Sequence, residues 1–249
     1  MDRFAFTSLA AINEMSLKRQ ALVNEVANVS TTGFKRSMEA TLASVRASGP
    51  GFDTRIQPQA VAKDVVDMTP GPIQVTGNAM NIAMTGESVL GVVSADGANV
   101  YTRRGELRVT AEGALETTNG YLVRGDGGPI TVPPDVTLSF APDGSVVGTN
   151  PVTGETQVLA QLHLREASET PMIRRADGLF TPQANPGGEV PQGEKLPGLI
   201  AGALEGSNVN AMAAMVELMD HSRSFEMAMK TIKESKDLDQ DSASMMRLG

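Results

Sequence analysis

The sequence predicts a mainly β domain framed by two amphipathic helices, one near each end of the chain, that pair with each other in a coiled-coil-like way. Three observations carry that expectation. After Asn208 the residues Met215, Leu218, Ser222, Phe225, Met229 and Ile232 fall at alternating spacings of three and four, which puts them on one stripe of a helix. Leu9, Ile12, Met15, Leu22, Val23 and Val26 form a second apolar face within the first thirty residues. Between the two, short β-branched runs are broken by Gly, Pro, Asn and Asp at intervals of roughly ten residues, the punctuation of hairpins.

In chain order, residues 1–33 read as a helix and its exit. Asp2 is a candidate N-cap, and Ser30-Thr31-Thr32-Gly33 ends the pattern. So thin a stripe is marginal in water, because helical stability comes mostly from packing the apolar face. Ordering on assembly is therefore expected. Residues 34–72 read as an extended connector, with Gly49-Pro50-Gly51 as a breaker and Pro70 and Pro72 barring a helix.

Residues 73–200 carry the β-rich domain. Asp96-Gly97, Glu112-Gly113, Asn119-Gly120 and Asp143-Gly144 mark its turns. The longest late strand is expected over 157–165, with Val158, Ala160, Leu162 and Leu164 on one side and His163 facing water on the other. No helix-length segment separates these strands, which excludes a βαβ architecture. Residues 201–249 return to helix, with Asn208 or Asn210 as the cap and Met212 and Met219 widening the stripe.

Composition narrows the chemistry. A net charge of -8 argues against a nucleic-acid partner, since no basic field exists to displace counterions from phosphates. With no cysteine and two histidines the chain cannot supply a zinc site, and no calcium-loop spacing occurs. No metal, cofactor or catalytic residue is expected. Gly125-Asp126-Gly127-Gly128 lacks the Lys-Ser/Thr of a phosphate loop and reads as a turn. Glu106, Glu112 and Glu116 sit beside turns of an exposed hairpin rather than as a paired acid and base. Arg103-Arg104 and Arg174-Arg175 read as solvated faces, and His221 as a surface or intersubunit hydrogen-bonding group. The longest apolar run, near Val89 to Val93, is too short for membrane insertion. No uninterrupted apolar leader follows the start, so any route out of the cytoplasm is expected to read another signal.

The methionines point to assembly. Met212, Met215, Met219, Met227 and Met229 share one helix, and flexible thioethers adapt to irregular grooves. Partners for them are the first helix and the same helices of neighbouring copies, a heterologous contact of the kind that builds filaments and tubes.

Asn24 to Arg36, with Ala27-Asn28 and Thr32-Gly33-Phe34-Lys35 as the matching positions, resembles the N-terminal motif of the flagellar axial proteins, the rod and hook proteins of the bacterial flagellum. Tyr101-Thr102-Arg103 with Gly105, Gly120-Tyr121 and Gly128-Pro129-Ile130 look like the family's β-domain motifs. Leu204 to Asn210 and Arg223 to Met227 are similar to its C-terminal segment, with the proximal rod subgroup the nearest. Two positions depart from the pattern. Gly86-Glu87-Ser88-Val89-Leu90 stands where Gly-Asp-Gly-Phe-Phe is common, and Arg104 replaces an Asn or Asp before Gly105.

The resemblance implies a torque-transmitting structural subunit of the periplasmic rod of the basal body. It implies export by the flagellar type III apparatus without a cleaved signal, and assembly with other rod proteins and copies of itself. The terminal helices would form an inner assembly domain and the β-rich region an outer one. The implied assembly interface comprises Leu9, Ile12, Met15, Leu22, Val26, Asn28, Gly33 and Phe34 from one end. From the other it takes Asn208, Asn210, Met212, Met215, Leu218, Met219, Phe225, Met229 and Ile232. The competing readings are a distal rod or hook-family subunit and a secreted β-rich binding or adhesion module.

Overall fold

The computed structural model describes residues 2–37, 41–46, 56–61, 65–193 and 196–247, with side chains described over 11–37, 65–193 and 196–238. The chain is mainly β with one long helix at each end, and it divides into two compact units. The first holds residues 1–27, 39–63 and 210–249; the second holds 28–38 and 64–209.

In the first unit, helix α1 (Asp2–Ala27) and helix α2 (Ala211–Arg247) are in contact. Strands Thr41–Arg46 and Ile56–Val61 pair antiparallel, with Thr41 opposite Val61 and Arg46 opposite Ile56, and α1 also touches the second of them. Within 34–72, where an extended connector is expected, the chain thus includes an antiparallel ladder in which the two strands pair their inward-facing backbone groups. Its side chains lie outside the described residues. No described helix is long and apolar enough to cross a membrane.

The second unit is built on a nine-stranded sheet. Its spatial order is Met172–Arg174, Phe180–Pro182, Asn99–Thr102, Ser88–Val93, Leu122–Gly125, Leu115–Thr117 and Leu107–Val109, with Gly128–Pro129 and Leu164–Glu166 pairing off this path. Ser88–Val93 is buried along almost its whole length, so its sequence is a continuous apolar run instead of an alternation. Successive residues point to opposite faces. Leu90, Val92 and Val100 join a core with Ile82, Leu115 and Val146, while Val89 and Tyr101 join another with Met68, Met172 and Phe180. The turn glycines Gly97, Gly113, Gly120 and Gly144 all take φ between 80° and 88°, a conformation glycine adopts at no steric cost.

Thr137–Phe140, Ser145–Thr149 and Thr156–Gln161 form a three-stranded sheet with a register shift between Val146 and Val147. The expected strand over 157–165 is therefore two, Thr156–Gln161 and Leu164–Glu166, in different sheets. Between them the His163 N–H donates to the Arg124 carbonyl and the Leu162 N–H to the Gly144 carbonyl. This corner explains a further correction. His163 is buried along with Leu162 and Leu164, because the alternation rule holds only while one strand stays in one sheet.

The last two ladders join the start and the end of the β-rich stretch. Leu199–Ala201 pairs with Ile82–Met84, and Ala203–Glu205 with Ile73–Val75. Residues 201–209, grouped with the terminal helix on sequence, accordingly belong to the β unit, and α2 begins only at Ala211.

Candidate functional site

Two places gather the residues expected to matter: the faces of the helices, and the segments that lead into them. On α2 the less exposed positions include Ala214, Leu218, His221, Phe225, Ala228, Ile232 and Ser235, an alternation of four and three, with Ala211 and Glu217 beside them near the start of the helix. The Arg19 guanidinium lies 5.6 Å from the Phe225 ring centroid, a cation–π distance that turns this stripe toward α1. On α1, Leu22 is buried and Ile12, Met15 and Val26 are half-buried; the Leu9 side chain lies outside the described residues. His221 is half-buried, and burial, with Lys18 and Arg19 adding to it, holds its pKa below the ordinary value.

The seam differs from the expected one by part of a turn. Leu218, Phe225 and Ile232 are shared, but Ser222 is exposed and its hydroxyl donates to the Leu218 carbonyl at 2.9 Å. Met212, Met215, Val216 and Met219 are exposed, Met212 by 74%. Their i, i+3, i+4, i+7 spacing makes a second apolar stripe on the α2 surface opposite the α1-facing seam. Met229, further along, is also exposed. Asn210 caps α2, its Oδ1 accepting from the Ala213 N–H at 3.1 Å.

The leading segments meet in the β unit. The Gly33 N–H donates to the Glu205 carbonyl at 2.8 Å, the Asn208 N–H to the Phe34 carbonyl at 3.3 Å, and the Arg36 N–H to Asn208 Oδ1 at 2.6 Å. Asn208 Nδ2 in turn donates to the Asp67 carbonyl at 2.9 Å. Gly33 has φ of +64°, and a Cβ there would stand 2.5 Å from the backbone of Arg103. At Gly71 a Cβ would stand 2.3 Å from the Gly206 carbonyl oxygen. Glycine is required at both points because backbone touches backbone.

Inside this contact lies a fully buried ionic cluster. Glu205 Oε1 accepts from Lys35 Nζ at 2.6 Å and from the Gly71 N–H at 2.8 Å. Glu205 Oε2 accepts from Arg103 Nε at 2.7 Å and pairs with Nη2 at 2.6 Å. Arg103 Nη1 donates to the carbonyls of Ser88 at 2.6 Å and Gly86 at 2.8 Å, and Lys35 Nζ to that of Thr69 at 2.6 Å. All three ionised side chains have no exposed surface. Burial brings the Lys35 pKa down to about 8, with Arg103 adding to the fall and Glu205 opposing it.

Arg103 is thus a buried ligand of a carboxylate and not part of a solvated face. The other basic residues read as solvated are also engaged. Arg104 Nη1 donates to Asn119 Oδ1 at 3.0 Å. Arg174 lies 4.3 Å from the Phe34 ring centroid and donates to the Lys35 carbonyl. Arg175 pairs with Asp96 at 2.9 Å and Asp177 at 3.0 Å. Spacing along the chain is blind to most of these pairs: Arg103 meets Glu205, Arg174 meets Phe34 and Lys35, and Arg175 meets Asp96 from distant segments, while Asp177 is a near neighbour of Arg175. The available signal was that Glu205 is the one charged residue from 196 to 216. Asn28 is likewise used locally, its Oδ1 accepting from Thr31 Oγ1 at 3.1 Å.

Two family models match the chain. The flagellar basal body rod FlgEFG protein C-terminal model matches residues 200–245, and the flagellar hook protein FlgE/F/G D1 domain model matches residues 83–148. The chain is 34% identical over 242 residues to the flagellar basal-body rod protein FlgF of Escherichia coli (strain K12), covering 95% of each chain. It belongs to the flagellar basal-body rod protein family. Identity to FlgF of Salmonella typhimurium is also 34%, over 93% of each chain. Against the rod protein FlgG of Bacillus subtilis (strain 168) it is 26%, over 99% of this chain and all of the relative. The protein is a structural subunit of the rod, close to FlgF, and its place is the basal body, where the rod spans the periplasm. An adhesion module is not favoured by any of these likenesses. Glu205 and Arg103 fall inside the two matched regions; Lys35 lies outside both.

Proposed function

We propose that this rod subunit assembles through its terminal helices, which pair in a coiled-coil-like inner domain, and through the segments that lead into them at Asn28, Gly33, Phe34 and Asn208. The partners are other flagellar rod proteins and copies of the same chain, delivered through the flagellar export apparatus and without membrane insertion. Placement in the proximal rod is the reading supported by the 34% identity to FlgF of Escherichia coli and of Salmonella typhimurium, against 26% to FlgG of Bacillus subtilis.

The observation that carries this reading is the exposed stripe of Met212, Met215, Val216 and Met219 on α2. A soluble helix places apolar residues where they can be buried, and α1 takes the seam of Leu218, Phe225 and Ile232. Burying one such side chain fully is worth about 1.5–3 kcal/mol before ordering costs, so one stripe per subunit contributes appreciably in a repeating assembly. The spacing is that of a helix laid in an apolar groove, and the adaptable methionines tolerate non-identical neighbours.

The test places a charge on each face. Met215→Glu attacks the outward stripe and Phe225→Glu the seam with α1. Both variants should keep the β unit's heat-unfolding midpoint and be missing from purified basal bodies. Normal motility with basal bodies of normal composition in the Met215→Glu strain would overturn the reading. Electron microscopy of basal bodies carrying a tagged copy decides between proximal and distal placement.

A further inference from the structure

The cluster of Lys35, Arg103 and Glu205 ties the 33–36 and 205–208 segments together with Thr69, Gly71, Gly86 and Ser88. Apolar side chains of similar size are the usual alternative at a site this buried. Burying two cations and one anion costs desolvation that their attraction only offsets when every donor and lone pair is matched, and well-packed apolar replacements of similar size are often as stable or more so. Stability alone therefore does not account for three ionised groups here. What they add is discrimination between arrangements. Glu205 sits in a strand, Ala203–Glu205, whose partner Ile73–Val75 ends beside Pro72. A one-residue slip would turn its carboxylate to the opposite face and leave two buried cations without an anion.

We propose that Lys35, Arg103 and Glu205 form a register lock. It seats the segment that follows α1 against the segment that precedes α2 in one arrangement, so that the rod-forming helices start from a defined junction on the β unit. The last clause rests on the reading that the helices make the rod contacts. The lock itself is a property of the isolated chain. Arg103 is suited to it because its planar fork reaches both the carboxylate and the carbonyls of Gly86 and Ser88, which a lysine ammonium cannot do at once.

Hydrogen exchange on the purified full chain tests the lock. In the variant carrying Lys35→Met, Arg103→Met and Glu205→Leu together, the heat-unfolding midpoint should equal or exceed the parent's. The amides of Gly33, Arg36 and Asn208 should exchange at least tenfold faster while Val92 and Val123 are unchanged. Parent-like protection of the three junction amides would overturn the proposal, since packing alone would then set the register. Should the triple variant not fold, Arg103→Lys serves in its place under the same criterion: tenfold faster exchange supports the lock and unchanged exchange overturns it. In cells, the loosened variant should enter rods at least tenfold less often, and incorporation at the parent level would overturn the lock's role in presenting the helices. Exchange in the unassembled chain does not depend on the Met215 stripe, so failure of the lock and failure of the assembly reading give different results.

Discussion

His163 shows how a single side chain acquires its properties from its surroundings. Its ring is buried, packed over Gly91 and 6.3 Å from the Tyr101 ring centroid. Nδ1 lies 3.3 Å from Asp126 Oδ1, and Nε2 meets no hydrogen-bond partner among the described residues. Burial first, then Arg165 and Arg124, hold its pKa below the ordinary value, against the pull of Asp126 and Glu189. The unfolded chain then takes up the proton before the folded one does. The neutral ring's contribution is fully present above the unfolded pKa of about 6.5 and is lost as pH falls through the folded pKa. The urea midpoint of the β unit should fall between pH 7 and pH 5. That fall should be smaller in His163→Leu; an identical decline in both proteins would remove His163 as its cause.

At the scale of one element, α2 combines two demands. Its seam of Leu218, Phe225 and Ile232 serves α1, and its methionine stripe lies on other surface of the same helix. A heptad read from apolar residues alone merges the two, because both run along the helix at alternating threes and fours. Only burial separates them. The polar residues interspersed are satisfied within the helix: Ser222, Ser224 and Thr231 donate to the carbonyls of Leu218, Asp220 and Met227. Its start depends on Asn210, whose side chain takes up the Ala213 N–H. Asn210→Ala should cost the helix about 1 kcal/mol, visible as a lower melting temperature of the far-ultraviolet circular dichroism signal of the full chain. No change would mean that the first turn of α2 is held by something other than its cap.

For the whole molecule, discontinuity is the organising fact. The helical unit is assembled from three stretches of chain and the β unit from two, so removing an end need not unravel the middle. Deleting residues 1–27 removes α1 but leaves intact every strand of the β unit and the cluster of Lys35, Arg103 and Glu205. That shortened chain should retain the heat-unfolding midpoint of the β unit to within a few degrees and fail to enter the rod. Loss of the β unit's cooperative transition would show that its folding depends on α1.

Period and punctuation in the sequence determined that the chain is β-rich between two helices, because strand alternation, Asx-Gly turns and helical stripes are written in neighbours a few residues apart. The likeness of Thr32 to Lys35 and of Leu204 to Asn210 to rod-protein motifs pointed to the family for the same reason: each is a local string. The tertiary structure alone decided which half of the α2 stripe faces α1, where the chain turns its corner at His163, and that Lys35, Arg103 and Glu205 converge. Those outcomes depend on groups far apart in the chain: Lys35 and Glu205 are 170 residues apart, and Arg19 and Phe225 further still. Burial and charge compensation arise between such groups only when the chain has folded, and no local pattern records them.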